Sequence, residues 1–220
     1  MKKRMIIMLS MVLMLSVFLA ACGGKDNDSS DKTAQDLRIN IVTEPTALHP
    51  ALAADATSGG VLIQTFEGLT RIDKNGVPQP AMAKDIQVSD DQLTYTFTIR
   101  KDANWSNGDP VTANDFVYTW KWVLNPENQS QYAYQLYPIK GAESANTGKG
   151  SLDDVAIKAI DDKTLEVTLV NPTPYFLQLL AFYTYFPVNQ KVAEKNPDWY
   201  KDAGDDYVTN GPFKMTKWNH

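Results

Sequence analysis

Residues 93–124 read LTYTFTIRKDANWSNGDPVTANDFVYTWKWVL, and the rest of the chain is best read outward from them. Leu93, Tyr95, Phe97 and Ile99 alternate with Thr94, Thr96 and Thr98. A period of two gives one apolar and one polar face, as in a half-buried antiparallel strand. Arg100 and Lys101 close the strand. Asn104 to Pro110 is dense in turn formers, and Asn107-Gly108 takes positive φ at low cost, so the chain bends there. Thr112 then offers a helix N-cap with Asp115 three residues on, the spacing at which two side chains reciprocally satisfy orphan amides. Phe116, Trp120, Val123 and Leu124 recur at i, i+4, i+7 and i+8 as one apolar stripe, and Asn125-Pro126 stops the helix.

A strand, a Trp-bearing turn and a capped helix occur in many domains, but the literal residues are more specific. The run TFTIRKDANWSNGDPVTANDFVYTW resembles the signature segment of the family 5 extracellular solute-binding proteins, the oligopeptide-binding components of bacterial ABC importers. Arg100, Asp102, Trp105, Gly108, Pro110, Thr112, Ala113 and Asp115 carry the likeness. Taken singly, Trp105 reads as a packing anchor, Gly108 as a turn residue and Asp115 as a capping group. The resemblance implies an α/β fold of the bilobed periplasmic-binding-protein type II, peptide-binding cluster. That fold is expected to be incomplete here, because family members are considerably longer. Residues 37–66 and 189–220 would belong to the larger lobe and 67–188 to the smaller one, with the remaining C-terminal lobe absent.

The N-terminus speaks to compartment. Lys2, Lys3 and Arg4 precede an apolar run from Met5 to Leu19, short for a membrane span of about 20 residues, so 1–21 reads as a signal peptide. Leu19-Ala20-Ala21-Cys22 resembles a bacterial lipobox, which would make Cys22 an acylated mature N-terminus held at the extracytoplasmic face of the cell membrane. Residues 22–36 are rich in Gly, Ser, Asp, Asn and Lys and read as a flexible tether.

Further along, Leu37 to Ile41 alternates as a first strand, and Glu44 to Pro50 is a loop. The family commonly has Leu-Asp-Pro where this chain has Leu48-His49-Pro50, and His49 reads as a solvated loop histidine. Val61, Leu62, Ile63 and Phe66 resemble the family's short helix leading into Phe66-Glu67-Gly68-Leu69, with Glu67 as a helix-end or interface carboxylate. Asn75-Gly76 makes a hairpin turn. Tyr132, Tyr134 and Tyr137 lie among amides. By resemblance Tyr132 takes the place of a pocket tyrosine, while simple local packing explains all three equally well. The runs 155–160 and 165–170 form a hairpin about Asp161-Asp162-Lys163-Thr164. Thr173-Pro174 opens a second helix running to about Tyr183, and Asn210 to Met215, with Phe213 and Met215, resembles the family segment that returns the chain to the larger lobe as a strand. The acidic pairs 153–154, 161–162 and 205–206 read as turn residues.

Of 220 residues, 43% are hydrophobic and 21% charged, with a net charge of -5, which argues against a nucleic-acid surface. One cysteine forms no intrachain disulfide and no cysteine-based zinc cluster, and two histidines make a poor metal site. The stretch from Asp102 begins like a calcium loop but has Asn107 and Ala113 where glycine and glutamate are needed. No nucleophile elbow, phosphate loop or zinc-protease helix occurs, so no enzyme and no cofactor is expected. The resemblance implies a lipid-anchored receptor that closes around oligopeptides and passes them to ABC permease subunits, with Ala54, Asp55, Ala56 and Tyr132 as candidate ligand contacts. The alternatives are a surface lipoprotein hydrolase, or a binder of dipeptide, nickel, haem or sugar on the same fold.

Overall fold

The structure is a computed structural model that describes residues 35–219. The proposed signal peptide, Cys22 and nearly all of the tether lie outside the described residues. From Ile39 onward the chain forms one compact unit.

Its centre is a four-stranded antiparallel sheet ordered β3-β4-β6-β5, built from β3 (Ala83–Val88), β4 (Thr94–Ile99), β5 (Ile157–Asp161) and β6 (Thr164–Thr168). The expected alternation holds on β4: Tyr95, Phe97 and Ile99 are buried, while the threonines between them are partly exposed. Pairing sets Tyr95 opposite Val167 and Phe97 opposite Leu165, so the apolar side chains of two strands share one face. Helix α2 (Ala113–Leu124) covers that face with Phe116, Trp120, Val123 and Leu124, all fully buried. Burying four such side chains contributes on the order of 1.5–3 kcal/mol each.

The cap forms as the spacing predicts. Thr112 and Asp115 make a capping box, and the Asp115 carboxylate also accepts from Trp105 Nε1 at 3.3 Å and from the Gln190 amide at 3.2 Å. Burial pushes the Asp115 carboxyl up, against the hydrogen bonds from Thr112, Gln190 and Trp105 that favour its charged form. Gly108 sits at φ +91° in the turn. The β5–β6 turn is tied down by Asp161, which accepts the Lys163 amide, and by Lys163 Nζ, which donates to the carbonyls of Val111 and Arg100. Asp153 pairs with Lys121 and Asp154 caps a short turn, so these acids serve local structure.

A smaller ribbon of β1 (Thr70–Ile72) and β2 (Pro78–Pro80) turns at Gly76, φ +78°. Glu67 pairs with Arg71 and Arg100, an interface carboxylate as expected. Helix α1 (Ala56–Thr65) precedes this ribbon. Helices α3 (Ala142–Asn146), α4 (Phe176–Leu179) and α5 (Gln190–Lys195) are short.

Three expected elements differ. Residues 37–41 form no strand: Leu37 and Ile39 are about half exposed, and no described strand pairs with them. Alternation supplies a face, but a strand also needs an edge to join. Phe213 and Met215 are likewise not in a strand. The Gly211 and Phe213 amides donate to the Thr65 and Gln64 carbonyls, so this segment satisfies acceptors that the end of α1 leaves open. The second helix is only four residues long, with Tyr175 as its N-cap; Thr173 Oγ1 donates instead to the Asn171 carbonyl. Phe176, Leu180, Tyr183 and Tyr185 are all buried. These side chains face partners that no single helical stripe could reach, so tertiary packing overrides local periodicity.

Candidate functional site

The four candidate residues Ala54, Asp55, Ala56 and Tyr132 are brought together. Asp55 is the N-cap of α1: its Oδ1 accepts the Ser58 amide at 2.9 Å, and its Oδ2 accepts the hydroxyls of Ser58 and Thr46, each at 2.5 Å. Partial desolvation disfavours the charge, but these hydrogen bonds outweigh it and hold the carboxyl well below the usual carboxylate range. A carboxylate engaged on both oxygens fixes the loop against the helix and has little capacity left for a ligand. Ala56 is the exposed first residue of the helix.

Tyr132 joins this end of α1 from 78 residues away, its Oη donating to the Ala54 carbonyl at 3.3 Å. Ser130 Oγ donates to the Ala51 carbonyl at 2.6 Å, which makes a second tie between the same segments. Around Tyr132 stand Phe182, Tyr134 and Tyr183, with ring centroids 5.4, 6.0 and 6.2 Å away. Tyr183 lies so close to α1 that a Cβ on Gly59 would meet its ring at 2.8 Å. Burial first, then the neighbouring Tyr132, pushes the Tyr183 hydroxyl up to about 12, so it stays protonated. The result is a partly exposed aromatic wall carrying hydroxyls, able to hold apolar or polar side chains without a fixed charge demand. The wall residues Phe182 and Tyr183 escaped the sequence reading because they fall in the segment read as a longer helix; the run FYTYF at 182–186 was the available signal.

Below the wall, a groove of about 590 Å³ is lined by Pro45, Thr46, Ala54, Asp55, Gln131 and Tyr200, among others. His49 forms part of its foundation and is not a solvated loop residue: it is 5% exposed. Its ring stacks on Trp122 at 4.7 Å and packs against Tyr200 and Trp199 at 5.1 and 5.2 Å, while Nδ1 accepts the Ala51 amide at 3.0 Å. Burial lowers its pKa to about 3, so the imidazole is neutral. The error has a physical origin: a Leu-His-Pro loop looks hydrophilic locally, and the aromatic residues that enclose it arrive from positions 122, 199 and 200. Among the described residues no group of His, Cys, Asp and Glu is arranged to hold a metal ion, and no helix is long and apolar enough to cross a membrane.

The sequence profile of the bacterial extracellular solute-binding proteins, family 5 Middle, matches residues 77–220. The chain belongs to family 5. This family 5 chain is 62% identical over its whole length to the oligopeptide-binding protein OppA of Bacillus subtilis, covering 41% of that protein. The chain therefore spans about two-fifths of that curated relative's length. Among solved structures, the substrate-binding domain of an oligopeptide ABC transporter from Bacillus anthracis superposes with a TM-score of 0.76 at 43% identity, covering 79% of this chain and 34% of the other. Listeria monocytogenes OppA bound to peptide gives a TM-score of 0.75 at 42% identity, over 78% of this chain and 34% of that one. The expected family and the mixed α/β fold are thus borne out.

Proposed function

We propose that this chain forms part of a receptor that captures oligopeptides outside the cytoplasm and delivers them to an ABC permease. The observation that carries the reading is the 62% identity to an oligopeptide-binding protein along the entire chain. The geometry agrees with it: the hydroxyl-bearing aromatic wall at Tyr132 and the backbone at Ala54 and Ala56 can hold a varied ligand. In this reading the protein grips and releases and performs no catalysis. The main chain of the peptide would lie along the α1 end, with side chains against Tyr132. Residues 67–188 would form the smaller lobe, and 37–66 with 189–220 would contribute to the larger one, the two closing by hinge.

Cys22, following Leu19-Ala20-Ala21, would be acylated and tether the receptor to the membrane surface. Each buried methylene of the acyl chains contributes about 0.8 kcal/mol, so two or more chains hold it firmly.

Calorimetry of the full gene product against a mixed peptide pool, with mass spectrometry of the peptides afterwards, tests the receptor reading. Stoichiometric binding with intact peptides is expected. Cleavage products, or no binding by any peptide, would overturn it. Mass spectrometry of the mature protein checks the anchor, since an unmodified Cys22 thiol would remove it.

A further inference from the structure

A second cavity, also of about 590 Å³, opens beside the aromatic wall on the far side of Tyr134. Its lining includes Tyr134, Tyr175, Val170, Gln135, Asn171 and Glu143. Tyr134 and Tyr175 are 52% and 57% exposed and Val170 54%, so three of the large apolar side chains that the described surface leaves in water gather at one concavity. Glu143 is the one charged residue of the lining, and no cation among the described residues lies within ion-pair distance of it. Exposed tyrosine faces with a carboxylate form a site for a cation carried on an apolar stem: the rings attract the charge through their quadrupoles, and the stem covers their surface. The cavity adjoins the candidate site through Tyr134, which lines it while its ring also packs on Tyr132.

From this juxtaposition we infer that the cavity is an accessory subsite for the same peptide ligands, taking the arginine or lysine side chain of a residue that runs past Tyr132. The inference rests on the receptor reading and adds to it a preference that the wall alone does not supply. Tyr134 forms the threshold between the two places, Tyr175 and Val170 the walls, and Glu143 the counter-charge. Gln135 and Asn171 offer amide acceptors to the remaining N–H groups of a guanidinium.

The test is a series of alanine peptides with a single arginine moved through every position, measured by calorimetry on the full gene product and on its Glu143→Gln and Tyr175→Ala variants. A parallel series carries norleucine in place of arginine. One arginine position is expected to bind about three- to tenfold more tightly than all-alanine. That advantage should fall to near unity in both variants and be absent for norleucine, while the affinity of the all-alanine peptide stays within twofold. Arginine peptides that gain nothing at any position, or a gain unchanged in both variants, would overturn the subsite and leave the receptor intact. Binding by no peptide at all would overturn both.

Discussion

The strand–turn–helix segment 93–124 and the pair of segments 44–56 and 199–215 are organised on opposite principles. In the first, partners are close in sequence: Thr112 caps with Asp115, Trp105 reaches Asp115 ten residues on, and the β4 alternation matches a single core face. In the second, regular structure is sparse and the partners are remote. His49 stacks on Trp122 and packs against Trp199, Tyr207 Oη donates to the Leu48 carbonyl 159 residues back, and Gly211 closes on Thr65. Local rules build a scaffold, and long-range aromatic packing then sets the loop that carries Ala54 and Asp55 upon it.

The hardest blow to this contrast would fall on the scaffold's own core. Trp120 is fully buried, and its Nε1 donates to the Tyr185 carbonyl at 2.8 Å. Trp120→Ala should cost about 3–5 kcal/mol in urea denaturation, because it leaves a cavity and an orphaned carbonyl together. A loss below about 1 kcal/mol would mean that the helix-to-sheet interface is not what holds the scaffold.

The remote region has a signature of its own in pH. His49 binds a proton near pH 6.5 when the chain is unfolded but only near pH 3 when buried, so between those values the unfolded state holds more protons. Stability therefore falls on acidification from pH 6.5, by about 1.4 kcal/mol per unit, or about 2 kcal/mol by pH 5. This window lies above the range in which the Asp55 carboxylate titrates. His49→Phe keeps a ring in the aromatic cluster and should flatten this part of the profile; an unchanged slope would show that the imidazole is not buried in solution.

One substitution made in each region sharpens the comparison further. At Gly211 a Cβ would meet Thr65 backbone at 2.5 Å, whereas at Gly108 it meets nothing within 4 Å and only the φ of +91° resists it. Gly211→Ala should cost about 1–3 kcal/mol by overpacking, and Gly108→Ala about 1 kcal/mol by backbone strain. Thermal melts of the two variants should rank them in that order.

The same division governs what could be read from residues alone. The α2 cap and stripe, the β4 alternation, the Gly76 turn and the β5–β6 hairpin are each encoded within a dozen residues, and each is present. The strands expected at 37–41 and 213–215 are not, because pairing is a property of two segments and only one was in view. The helix expected from Thr173 breaks early, since the residues after Leu180 pack against Tyr132, Gly59 and Gln135, which lie far away in sequence. Within the candidate site, the gathering of Ala54, Asp55, Ala56 and Tyr132 followed from family likeness. The commitment of both Asp55 oxygens to Thr46 and Ser58, and the enclosure of His49, needed three dimensions.

The prolines of β2 bear on how the ribbon's free border behaves toward other chains. Along that strand the amides of Val77 and Ala81 are engaged within the ribbon, by Asp73 and Leu69, so the intervening positions 78 and 80 face the free border. Both are proline and have no N–H to give. A stray polypeptide approaching this border finds acceptors but no donors and cannot zip onto it, so the β2 edge is closed to strand addition.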